Sequence, residues 1–156
     1  MADPLDEKIA QNLKTTLETI TRAAGYNQTV AEVHRLTALD GFDMTHLHVV
    51  MVEEAPERER EGAPAGCFAW RKTFSIVCCV RPSDDDESPI DAQLNRFAAD
   101  VVKAVMADRT RGGFAIETDV LDPIDVTDKD GVVEGRVVPV EVTYRHLDTD
   151  PYTQIS

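Results

Sequence analysis

Apolar residues at the start of the chain recur at helical spacing. Leu5, Ile9, Leu13, Leu17 and Ile20 fall on one stripe, with polar side chains between them. Asp3 can cap this helix, Pro4 suits its first position, and Gly25 is placed to end it. The period then changes to two. Residues 29–36 read as a short, untidy strand, and residues 46–52 as a clearer one with Leu47, Val49 and Met51 on one face. Residues 67–81 form the longest central strand. Trp70, Phe74, Ile76, Cys78 and Val80 alternate there with Arg71, Thr73, Ser75 and Arg81, until Pro82 stops it. A second helix opens with Ser88 as cap, Pro89 in the first turn and Asp91 at the capping-box position. Its apolar face is Ile90, Leu94, Phe97, Ala98, Val101, Val105 and Met106, and it ends in Arg109-Thr110-Arg111-Gly112-Gly113. Residues 114–121 alternate again. The Asp130-Gly131 step is a hairpin signal, because glycine tolerates positive φ, and it leads into a long final strand, residues 132–144. Strands in runs, and not in strict alternation with helices, predict an α+β fold: two helices packed on a mainly antiparallel sheet, in a single domain.

Three stretches stand apart from this pattern. Residues 53–66 hold nothing apolar larger than alanine or proline, several glycines and prolines, and mixed charge, which reads as a long mobile loop or a protruding hairpin tip. Residues 82–88 form an acidic linker, and residues 145–156 a short polar tail. At 156 residues the chain is long enough for one well-filled core and too short for two. Its net charge is −13, with 6 basic and 12 acidic residues in 1–65 and 10 and 17 in 66–156. A surface that grips nucleic acid needs clustered Lys and Arg to displace counterions, so this even acidity argues against one. No window approaches the length of a membrane span, and the first residues lack signal-peptide character. The three cysteines, Cys67, Cys78 and Cys79, read as reduced thiols of a cytoplasmic chain, since adjacent strand residues face opposite sides and bridge poorly.

Candidate chemistry is sparse. His46 and His48 alternate on a strand and could share a metal, but no third ligand follows at a recognisable spacing. The run Asp84–Glu87 reads as solvated linker. Residues 125–131 lack the acidic groups a calcium loop needs at its third and twelfth positions. Gly112-Gly113 has no Lys-Ser/Thr partner for a phosphate loop, and Cys78 and Cys79 sit in an apolar run where a thiol is inert packing. No cofactor, metal site or catalytic residue is expected, and the chain reads as an assembly protein before an enzyme. Pro139 lies within the last strand, where a missing ladder donor implies a free edge. That edge is either protected on a monomer or joined to another chain.

The opening helix with Gly25-Tyr26, the long strand before the acidic link, the capped helix of residues 88–106, and the ending Val140-Glu141-Val142-Thr143-Tyr144-Arg145 with Asp150-Pro151-Tyr152 together resemble the tail-terminator, or tail-completion, proteins of long-tailed bacteriophages, the class that includes the minor tail protein U of lambda-like phages. The resemblance implies a non-enzymatic α+β subunit that forms a homo-oligomeric ring, commonly a hexamer. Such a ring is assembled in the bacterial cytoplasm, caps the tail tube in the virion, and meets the head–tail connector, while DNA passes without specific binding. The implied partners are further copies of the chain, the tail tube protein and the connector protein. Arg58, Arg60, Arg109, Arg111, Pro139, Tyr144, Arg145 and Tyr152 are the candidate interface residues. Complementary charge at such positions sets register between identical subunits. A neck or head-closure protein, a bacterial adaptor domain and a metal enzyme using His46 and His48 stay open as alternatives.

Overall fold

A computed structural model describes residues 2–30, 32–36, 48–59, 64–79, 88–127 and 133–155. Helix α1 spans Leu5–Glu18, and all five residues of its predicted stripe are buried. Its start differs from expectation. Pro4 is the cap residue and makes no side-chain cap hydrogen bond; the Leu5 N–H donates instead to the carbonyl of Pro151, 3.0 Å away in the C-terminal tail. Gly25 does not end α1 either. With φ of 91° it closes a separate single 3-10 turn, Arg22–Ala24, whose other end is capped by the Thr21 hydroxyl.

Strand β1 (Val33–Leu36) pairs in parallel with β2 (His48–Glu53), and every other pairing among the described residues is antiparallel. The centre of the sheet is one long pair, β4 (Cys67–Cys79) against β7 (Val133–Leu147), in register from Cys67 opposite Leu147 to Cys79 opposite Gly135. Each outer side of this pair carries an interrupted strand. β2 and β3 (Glu57–Glu59) both lie along β4, separated by residues 54–56. β5 (Glu117–Val120) and β6 (Ile124–Thr127) both lie along β7, separated by residues 121–123. Both interruptions contain a proline, Pro56 and Pro123, which supplies no ladder donor. The segment expected as a loop or hairpin tip thus includes β3, paired as in a hairpin; residues 60–63 lie outside the described residues, as do most of the acidic linker and the Asp130-Gly131 turn.

Pro139 needs correction. β7 is an interior strand, not a free edge: Pro139 stands opposite Ser75 of β4, and its carbonyl accepts the Leu121 N–H at 2.9 Å on the other side. A strand residue directs its N and its C=O to the same neighbour. The missing donor therefore faces the gap between β5 and β6, where no regular ladder exists to be broken. Proline is tolerated in the middle of this sheet because the adjoining strand is interrupted beside it.

Helix α2 (Ile90–Met106) buries Leu94, Phe97, Ala98, Val101 and Val105. Pro89, not Ser88, precedes its first turn, and the Ser88 carbonyl instead accepts from the Gln93 side chain at 2.8 Å. Both helices contribute to one core with Val49, Met51, Phe74, Ile76, Cys78, Val138, Val140 and Val142 of the sheet. Strand side chains alternate between faces, so the intervening positions form a second, smaller cluster on the far side: Val50, Val77 and Cys79, flanked by Val52, Val126 and Val137. The two adjacent cysteines belong to different interiors, and all three thiols are free.

Candidate functional site

The proposed interface residues do not form one surface. Arg58 is exposed on β3, its guanidinium 4.8 Å from the centre of the Phe68 ring, and Arg60 lies outside the described residues. Arg109 is exposed and paired at 2.7 Å with Glu117 at the start of β5. Arg111 is fully buried and offers no surface in this chain. Its backbone sits at φ of 49°, the first of three successive left-handed residues with Gly112 and Gly113, so its side chain turns back beneath the end of α2. There it donates to the carbonyls of Val105 and Asp108, supplying donors to the helix terminus. Burial pushes its pKa down, against the opposing pull of Asp108. Burial acts to raise the Asp108 carboxyl, but the Gly112 N–H and the Thr110 hydroxyl and N–H outweigh it and hold the carboxyl below its ordinary value.

Pro139 and Tyr144 are buried inside the sheet and offer no surface in this chain. Burial, followed by the nearby Asp6 charge, raises the Tyr144 hydroxyl well above its usual pKa. The tail expected to reach a neighbour folds back on its own chain. The Arg145 N–H donates to the Gln154 side chain at 2.9 Å, the Ile155 N–H donates to the Arg145 carbonyl at 3.0 Å, and Lys8 donates to the Tyr152 carbonyl at 2.8 Å. Tyr152 itself stays exposed. Of the histidine pair, His46 is outside the described residues and His48 opens β2. Among the described residues no three His, Cys, Asp or Glu side chains converge as a metal site would require, and no helix is long and apolar enough to cross a membrane.

Two polar groupings went unnoticed in the sequence. The first is an ion network between α1 and the sheet. Arg35 of β1 makes a two-pronged contact with Glu7 at 2.8 and 2.9 Å and reaches Glu53 of β2 at 2.7 Å. Lys72 of β4, only 7% exposed, reaches Glu53 at 3.2 Å and Asp6 at 3.8 Å. The Arg35 hydrogen bonds are the main reason the Glu7 carboxyl falls from 4.5 to about 2. The second is aromatic. Trp70 of β4 donates its indole N–H to His146 of β7 at 2.8 Å, and Phe68 stands edge-on to both rings. Lys72 and His146 interrupt otherwise apolar faces of β4 and β7, and that break in the alternation is the signal by which they could have been found.

The geometry thus separates the charged, exposed groups of β3 and the α2–β5 connection from buried polar groups that serve the fold. Comparison with known protein families finds no family that matches this chain, and none of the curated proteins matches it.

Proposed function

We propose that this chain is a structural subunit of a phage tail that works by assembly and not by catalysis. In this reading, copies of the chain form a ring, hexameric as the tail-terminator resemblance implies, that caps the tail tube and presents a surface to the head–tail connector. The observation that carries the reading is the architecture. An opening helix, a group of strands, a second helix and a long last strand fold into one α+β unit with both helices on one face of a largely antiparallel sheet. The net charge of −13 supports it as well, since a ring through which DNA slides must not hold phosphates. Arg58 and the Arg109–Glu117 pair are the exposed groups available to set register between copies.

Native mass spectrometry and sedimentation velocity over a range of concentration and salt test this, together with capture by tail-tube protein. The reading expects a discrete ring-sized oligomer, or a monomer that the tube protein recruits into one. A monomer at every concentration with no capture overturns it. One observation favours a second reading, a small adaptor domain: Leu121 and Ile124 expose 42% and 60% of their surface beside the β5–β6 interruption. That reading expects the strict monomer. A neck or head-closure subunit would form a ring that binds the connector and ignores the tube.

A further inference from the structure

His146 is 7% exposed and both of its ring nitrogens are engaged. Nε2 faces the Trp70 indole nitrogen at 2.8 Å, and Nδ1 faces the Leu147 carbonyl at 2.5 Å. An indole N–H only donates and a carbonyl only accepts. These partners admit one state of the ring, with Nε2 bare and Nδ1 protonated. The Leu147 carbonyl also accepts the Asp150 N–H at 3.1 Å, so the ring leans on the turn that starts the C-terminal tail. Trp70 and His146 lie with planes 20° apart, Phe68 packs edge-on against them, and the Arg58 guanidinium lies 4.8 Å from the centre of the Phe68 ring.

We propose that Trp70 and His146 form a proton-operated latch, in which a proton taken up at His146 Nε2 releases the indole while the tail turn stays held. The imidazolium has no acceptor left, so two N–H donors would confront each other across 2.8 Å. Protonation is therefore possible only if the indole moves away. The Nδ1–H bond to Leu147 survives and strengthens, because its donor now carries charge. The surrounding contacts agree with that division. Asp150, in the tail turn, donates its N–H to the same Leu147 carbonyl that the Nδ1–H meets, so the charged ring would stay bonded on the tail side. Further charged groups among the described residues are Arg58, against the Phe68 ring, and Lys72 with Asp6. The result is an aromatic surface, Trp70 with Phe68, offered when His146 carries the second proton and withdrawn when the ring is neutral. This inference does not depend on the ring reading.

Trp70 is the chain's single tryptophan, so its fluorescence reports the latch directly. Histidine is the side chain whose unperturbed charge change falls between about pH 5 and 8, which sets the interval to scan. Lowering the pH across that interval should shift the emission to the red and raise quenching by acrylamide, with the far-ultraviolet circular dichroism unchanged. His146→Gln keeps an acceptor for the indole but cannot titrate, and its profile should be flat. Flat wild-type emission and quenching, or the same step in His146→Gln, would overturn the latch. If that variant does not fold, the one indole N–H resonance of the wild type decides. It should move with the same midpoint as the His146 ring protons, and an indole resonance that stays still while His146 titrates refutes the proposal.

Discussion

Cys78 and Cys79 are neighbours in sequence, yet each is held in a different interior, and burial governs both. It pushes the Cys79 thiol up to about 11 and the Cys78 thiol higher still, so neither supplies thiolate at neutral pH. Cys67, at the end of β4, is only half-buried. A thiol reagent at neutral pH should therefore label Cys67 alone in the native protein, and all three cysteines in denaturant. Mass spectrometry of the labelled chain checks this, and rapid native labelling of Cys78 or Cys79 would contradict the packing. Arg111 teaches the opposite lesson about reading single residues. Its charge and its place beside two glycines suggested a surface contact, but a run of left-handed residues turned the side chain inward. Nothing local distinguishes an arginine that caps its own helix from one that meets a partner. Backbone direction makes the choice, and that direction is set by how α2 must end to let β5 join the sheet.

At the scale of elements, α1 shows how a helix is anchored without a side-chain cap. Its apolar stripe packs on α2 and the sheet, the tail carbonyl of Pro151 takes its first N–H, and Glu7 and Asp6 join the ion network with Arg35, Lys72 and Glu53. The Glu7 carboxyl is lowered from 4.5 to about 2 in the folded chain. Its contribution to stability is complete above the higher value and disappears as the pH falls toward the lower. The linkage arithmetic gives about 3 kcal/mol for such a shift, and solvent screening at a one-third exposed side chain reduces it to about 1–2 kcal/mol. Urea denaturation between pH 5 and 2.5 should show wild type losing that amount relative to Glu7→Gln. Parallel pH profiles for the two proteins would show that the network does not hold α1. The tail belongs to the same set of contacts, and this explains why a segment that reads as a free polar extension is folded back: the start of α1 needs an acceptor and β7 runs straight toward it.

For the molecule as a whole, the β4–β7 pair is the structural spine, because helix α2 and four of the five other strands described rest on it. Local opening costs least where backbone hydrogen bonds are few and solvent is near. Amide hydrogen exchange should therefore be slowest at residues 74–78, 138 and 140–142, and faster in the four-residue strand β1 and the three-residue strand β3. Protection of β1 or β3 equal to that of the spine would refute this order. The two helices, the long strands and the α+β class were legible in the chain, because a period near 3.6 or of 2 is a property of neighbouring residues and needs no knowledge of the fold. The Phe74-to-Cys78 alternation and the Leu5-to-Ile20 stripe carry that information by themselves. What only the tertiary structure decided was which elements lie side by side. The parallel pairing of β1 with β2, the gap that accepts Pro139, and the meeting of Trp70 with His146, 76 positions apart in sequence, all depend on it. Local sequence sets the faces that an element must bury, but long-range register sets what each polar atom on those faces will find.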